Sequence, residues 1–408
     1  MSTAQDRGAS SPQLMRRANR QALMQHALRG EAFTATDAMA ATGLTRATVL
    51  GVCADLEEAG LLHEVSGAPT AGAAQRGRPA RHFALSEDAA VLLAVDAGQH
   101  TLTARAADLR GRELATVRTA LDGALDGSDA ESGAAAAELR VEAVRALLDQ
   151  VVERAGAGDR PRLLTVVGVP APVDADGRSP VGDLSYWPAM NPGFVEALEG
   201  TVVVENDANL AVLAERAAAD SPHLAALLMG ERFGTGLVVD GRLLRGADGG
   251  AGEMRFLDDV LGDERGADGV AALARRWTLD ALAAGETSPV LGAVPPDRLS
   301  AVDVFAAARD GDPLAEAVLE RIGERLARIA SILASLLGVE LVLVAGAIAE
   351  AIEPVLIHAR SALPRLATPP HPRLEASTLG REVVVRGAIE LALARLHADP
   401  LDLLAPDV

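Results

Sequence analysis

Near the amino terminus, apolar side chains return at helical spacing: Leu14, Ala18, Ala22 or Leu23, and Leu28. That period predicts a helix closed by Gly30. A short second helix follows, capped by Thr34 or Thr36 and running through Thr42. Gly43 supplies the turn, where a positive φ costs little. Thr45 is a good N-cap for a third helix, on which Val49, Val52, Cys53 and Leu56 share one face and belong to a core. Gly60 ends it. "LLHEV" and "ARHFAL" then read as two strands around the Gly/Pro-rich loop "SGAPTAGAAQRGRP". The sum is a winged helix-turn-helix. The plainer reading is a small helical subdomain that only packs on its neighbour. The turn glycine, the capped third helix and the arginines of the loop favour the winged form.

After Leu85 the pattern changes. "VLLAVDAGQHTLTARAADLRGREL" is an apolar strand, a glycine turn, an alternating strand, a second turn and a third strand. "LLTVVGVPAPVD" is a buried strand, and "TVVVENDANLAVLAE" is a strand running into a helix. "LAALLMGERFGTGLVVDGRLLRGADGGAGE" reads as a hairpin with glycine-rich turns. "AEAVLERIGERLARIASILASLLGVELVLVAGAIAEAI" is a long helix, a strand of parallel type and another helix. A meander followed by helix–strand alternation occurs twice, which predicts two similar α/β lobes. The expected division is a flexible stretch at 1–13, a winged helix-turn-helix at 14–86 and a two-lobed domain at 87–408.

Charge refines this division. The 408 residues carry a formal net charge of -19, which argues against nucleic acid as a partner. Residues 1–85, however, hold 9 Arg against 7 Asp and Glu, net +2, whereas residues 86–408 hold 29 against 50, net -21. The acidity therefore belongs to the larger part, and a DNA-reading module fused to an acidic domain is admissible. Cys53 is the only cysteine, so the chain forms no internal disulfide and no cysteine-cluster metal site. No apolar run reaches the roughly 20 residues of a membrane span, and no signal sequence opens the chain, so the expected compartment is the cytoplasm.

"NRQALMQHALRGEAFTATDAMAATGLTRATVLGVCADLEEAGLL" with "RGRPARHFAL" resembles the DNA-binding domain of the ROK family of repressors and sugar kinases. "ENDAN" (205–209), "GADGGAGE" (246–253) and "VLVAGAIA" resemble that family's two-lobed, actin-like (ribonuclease H-like) sugar-kinase fold. The resemblance implies a double-stranded DNA operator read by Thr45, Arg46, Ala47, Thr48 and Leu50. Arg76, Arg78 and Arg81 of the wing would pair with phosphates or enter a minor groove. It further implies a small carbohydrate effector, a homodimer, and no membrane. Asp207 matches the family's catalytic base, Asn206 its sugar-binding partner, and Glu253 a sugar-binding carboxylate. A purely structural role for Asn206 and Asp207 is to cap the helix that follows. Asp183 aligns with the Asn of a further sugar-binding loop.

The phosphate-binding parts depart from the family. Its first loop has Asp, two glycines, then Thr and a basic residue; here it reads Asp96-Ala97-Gly98-Gln99-His100-Thr101. Its second loop alternates glycines after a threonine; here it reads Gly230-Glu231-Arg232-Phe233-Gly234-Thr235-Gly236. Glu231 brings negative charge, and Arg232 and Phe233 fill space that backbone N–H groups would line. The family's zinc ligands, one His and three Cys, are also replaced: Phe256 stands at the His position, and a sugar-binding Glu aligns with Ala272. The expectation is a regulator with a degenerate kinase domain, no metal and no cofactor. An active sugar kinase with a DNA-binding appendage and a ligand-independent DNA-binding dimer are the alternatives.

Overall fold

The computed structural model describes residues 11–65, 80–121, 130–180, 186–219, 221–253 and 268–404. Its first elements are α1 (Ser11–Arg29), β1 (Ala32–Thr34), α2 (Ala35–Thr42), α3 (Arg46–Glu58), β2 (Leu62–Val65) and β3 (His82–Leu85). Thr34, and not Thr36, caps α2: its hydroxyl accepts from Asp37 N while the Asp37 carboxylate accepts from Thr34 N. Gly43 closes α2 at φ 71°. Leu23, Met24, Ala27, Val49, Val52, Cys53 and Leu56 fill the core between α1, α3 and the sheet. That sheet has three strands in the order β1-β3-β2, one more than the pattern predicts. β1 is three residues long, too short for alternation to register, and its identity comes from pairing Phe33 with Phe83.

The first lobe follows with β4 (Val91–Ala97), β5 (Thr101–Ala107), β6 (Glu113–Ala120), α4 (Ala130–Arg154) and β7 (Arg162–Val169). It continues through α5 (Tyr186–Met190), α6 (Phe194–Ala197) and β8 (Val202–Asn206) into α7 (Asp207–Ala218). The second lobe has β9 (Leu224–Met229), β10 (Phe233–Val239), β11 (Arg242–Leu243), α8 (Val270–Ala283), α9 (Ala301–Arg309) and α10 (Pro313–Leu337). It ends with β12 (Leu341–Ala345), α11 (Glu353–Leu366), β13 (Arg373–Ala376), α12 (Val383–Ala398) and α13 (Pro400–Leu404).

The repeat seen in the pattern is real. One sheet runs β6-β5-β4-β7-β8 and the other β11-β10-β9-β12-β13. In each, three antiparallel strands are followed by two parallel ones. The central strands read as near-continuous Val, Leu and Ala because both of their faces are covered. The helix α10 shows how plainly some ends are written: Asp312 accepts from Leu314 N and Ala315 N, Pro313 opens the helix, and Gly338 closes it at φ 66°.

Two helices join the parts. α7 packs on β9 and β10 of the second lobe and on α12, and α12 packs on β4 and β7 of the first. Their approach is backbone to backbone at Gly387, where any Cβ would overlap the Leu210 carbonyl. The far end of α12 meets the amino-terminal module. Gln25 Nε2 donates to His397 O and Ala398 O, both at 3.2 Å, and Gln21 Nε2 donates to Ala398 O at 3.4 Å. Arg17 pairs with Asp402, and Arg110 of the β5–β6 turn donates to Gly30 O at 2.6 Å.

Candidate functional site

The helix-turn-helix presents the beginning of α3. Thr45 Oγ1 accepts from Thr48 N at 3.3 Å and lies 2.9 Å from Thr48 Oγ1, so the two hydroxyls serve one cap. Thr45, Arg46 and Ala47 are exposed, Thr48 is half-buried, and Gly51 leaves the next turn bare. Leu50 differs from the sequence expectation: it is half-buried and packs against the module's core. Arg81 differs too. Its Nε donates to Glu64 at 2.8 Å, its Nη2 donates to Glu57 at 3.1 Å, and its guanidinium lies 4.9 Å from the Phe83 ring centroid. Two carboxylates already balance its charge, and it ties β3 to β2 and to the end of α3. Arg76 and Arg78 lie outside the described residues.

The second site is the cleft between the lobes. β8 delivers Glu205 and Asn206 to the start of α7. Asn206 is the N-cap: Oδ1 accepts from Asn209 N and Nδ2 donates to Ala171 O, both at 3.0 Å. Glu205 is buried and fully used. Oε1 accepts from Asn206 N and Asn209 Nδ2, and Oε2 accepts from Arg245 Nε at 2.8 Å, which links the lobes. Asp207 opens α7 and accepts from Ala208 N at 2.7 Å, as a carboxylate at a helix N-terminus does.

Asp207 is nonetheless costly to ionise. Burial, with repulsion from Asp96 and Glu253, pushes its pKa up to about 8. Asp96, at the end of β4, is raised to about 7 by burial, against the opposing pull of Arg118 and Arg140. Three carboxylates from three segments thus converge: Asp96, Asp207 and Glu253. The sequence reading assigned two of them; Asp96 was visible as the head of the first loop but carried no assigned role. Asp183 lies outside the described residues.

Two further residues of the cleft escaped the sequence. Arg140, on α4, is buried and donates to Met190 O at 3.1 Å, to Gly98 O at 3.1 Å and to Ala97 O. It fixes the first loop by its carbonyls, and burial lowers its pKa to about 10. Nothing local distinguishes it from a surface arginine of an amphipathic helix. Tyr186 stands beside Asp207, Glu253, Arg140 and Arg232, and burial raises its hydroxyl to about 12. One signal did exist for it: this is the single tyrosine in the chain.

The second loop sits opposite. Gly230 O accepts from Ala271 N and Glu231 O from Gly269 N, and Arg232 forms an antiparallel bridge with Asp268. The N-cap residue Gly269 and Ala271 of the first turn of α8 thus donate their N–H groups to the loop's own carbonyls. A Cβ at Gly269 would overlap Gly230 O. Glu231 lies 3.8 Å from Arg275, and the Arg232 guanidinium lies 3.7 Å above the Tyr186 ring.

The residues do not fit the zinc implied by the resemblance. Ala272, which aligns with a sugar-binding Glu and not with a zinc ligand, is buried on α8. Cys53 is buried in the amino-terminal module, where burial raises its thiol to about 11. Among the described residues no group of three His, Cys, Asp or Glu is placed to hold a metal. Phe256 lies outside the described residues. Nor is any described helix long and apolar enough to cross a membrane.

Comparison with known proteins agrees with this geometry. The ROK family model matches residues 92–395. A glucokinase of Halalkalibacterium halodurans is 29% identical over 208 residues, 46% of this chain and 62% of its own. A glucokinase of Thermotoga maritima is 32% identical over 166 residues, 37% of this chain and 51% of its own. The chain thus spans between about half and three fifths of these relatives. Among solved structures, a ROK family transcriptional regulator, homologous to the E. coli MLC protein, superposes with a TM-score of 0.67 at 22% identity. That match covers 93% of this chain and 96% of the other, amino-terminal module included. A ROK family glucokinase from Streptomyces griseus, in complex with glucose and AMPPNP, has a TM-score of 0.59 at 26% identity and covers 74% of this chain and 98% of its own.

Proposed function

This chain belongs to the ROK family, and on that footing we propose that it is a DNA-binding transcriptional regulator. It acts as a cytoplasmic homodimer that represses carbohydrate-related genes, and its kinase-like domain senses a small carbohydrate. The observation that carries this reading is the docking of a helix-turn-helix directly onto α12 through Gln21 and Gln25. The exposed start of α3 is left to face a partner.

In this reading Arg46, Ala47, Thr45 and Thr48 meet base edges and phosphates in the major groove, and Arg76 and Arg78 serve the wing. Leu50, half-buried, and Arg81, exposed and paired with Glu57 and Glu64, border the same surface. Two modules in a dimer bind two half-sites, which multiplies the affinity of one. Asn206, Asp207, Glu253 and Asp183 hold the effector's hydroxyls. An effector that favours one separation of the lobes shifts the modules through α7 and α12, because α7 starts at the site and α12 ends at α1.

Fluorescence anisotropy with a duplex selected from genomic fragments tests this. Arg46→Ala should weaken specific binding by about 1–3 kcal/mol. Unchanged affinity would remove α3 from the recognition surface. A second reading, an active sugar kinase with a DNA-binding appendage, draws on Asp207 at the start of α7 and on the glucokinase similarity. A coupled ADP-release assay over a hexose panel separates the two: turnover abolished by Asp207→Asn would favour the kinase.

A further inference from the structure

The cleft is bridged by the chain itself. Arg232 comes from the β9–β10 turn of the second lobe, and Tyr186 from α5, which packs with the core of the first lobe. The guanidinium lies 3.7 Å above the ring, within the distance at which a cation is drawn to an aromatic face. The Tyr186 hydroxyl donates to Gln99 Oε1 at 3.4 Å, which carries the contact on into the first loop. One side chain of the second loop thus reaches the first loop through a single ring.

Two backbone carbonyls of the second loop and the backbone of Arg232 are committed as well. Gly230 O and Glu231 O accept from Ala271 N and Gly269 N, and Arg232 is bridged to Asp268. Helix N-termini and glycine-rich loops bind phosphates with unpaired N–H groups, and here the N–H groups of Gly269 and Ala271 at the start of α8 are given to the loop. Charge supports the same placement. Asp96 and Glu253 both repel Asp207 in the cleft, and Arg232 adds a cation beside Tyr186.

We infer that the Arg232–Tyr186 stack is a built-in closure of the cleft, holding the two lobes together in the place of a nucleotide's phosphates and keeping nucleotide out. Arg232 is the residue that determines this specificity, and Tyr186 is the face it needs. The inference goes beyond the regulator reading and depends on the fold alone. Closure of the lobes then requires no nucleotide, and any ligand that opens or tightens them acts against this stack.

Calorimetry with AMPPNP and Mg²⁺ tests the exclusion. The wild-type chain should show no binding at millimolar nucleotide, and E231T/R232G should gain at least tenfold. Wild-type binding as tight as that of the variant would overturn the inference. Hydrogen exchange of the 230–236 segment tests the stack independently. Exchange should quicken at least tenfold in Tyr186→Leu and stay at the wild-type rate in Tyr186→Phe, which keeps the aromatic face. Equal rates in Tyr186→Leu and wild type would also overturn it. Binding of a selected duplex, measured on the same preparations, reports on the regulator reading separately.

Discussion

At the start of α7 the cleft gathers Asp96, Asp207 and Glu253; burial raises the first two to about 7 and about 8, and repulsion from Asp96 and Glu253 adds to the rise at Asp207 alone. Across from them, the carbonyls of Gly230 and Glu231 are bonded to the first turn of α8, and Arg232 rests on Tyr186. One rim keeps groups in a state that folding does not favour. The other has two backbone carbonyls and its arginine engaged by the chain itself. Costly groups held in a cleft point to a ligand that will repay them, whereas satisfied groups point to shape and closure. In the regulator reading proposed above, the charged rim is the one that meets an effector and the opposite loop is scaffold.

The closed rim breaks most sharply at Gly269. Gly269→Ala would force a Cβ into Gly230 O and Arg232 O, and both are backbone atoms. The expected cost is about 1–3 kcal/mol, read by chemical denaturation. A neutral substitution would mean that the loop is not held against α8.

The charged rim is tested by pH. Asp207 binds its proton in the folded chain up to about pH 8, whereas its ordinary pKa is 3.8. Between those values the folded state holds more protons than the unfolded one, so stability falls as pH rises from about 4 to 8. Asp96 adds the same sign up to about pH 7. Asp207→Asn should therefore raise the melting temperature at pH 8.5 by about 2 °C. At pH 5, where the native carboxyl is already neutral, the gain should be smaller. An equal gain at both pH values would show that the carboxyl is not raised.

The smallest effect is expected at Arg81. Its pairs with Glu57 and Glu64 lie on the surface, where solvent screens them, so Arg81→Ala should leave the denaturation midpoint nearly unchanged. Arg78→Ala should leave stability alone and flatten the salt dependence of duplex binding by about one phosphate contact. If Arg81→Ala flattens the salt dependence equally, Arg81 belongs to the DNA surface after all.

Much of the fold was legible because it rests on local period and caps. Val49, Val52, Cys53 and Leu56 declare the inner face of α3, and Asp312, Pro313 and Gly338 mark the ends of α10. The duplicated strand order followed from the repeated meander. What escaped depends on partners far along the chain. β1 exists through Phe83, Arg140 is buried because the carbonyls of Ala97, Gly98 and Met190 receive it, and Tyr186 matters because Arg232 reaches it. Asn206 and Asp207 were legible as a strand-to-helix junction, but the rise in Asp207 follows first from its burial and then from Asp96 and Glu253, which only the folded chain brings near.

The most direct test of the regulator reading is competition of the intact chain, at physiological salt, between a duplex selected from genomic fragments and random duplex of equal length. A transcriptional regulator of this design should prefer the selected duplex by about 10³-fold or more. Equal affinity for the two duplexes would contradict it.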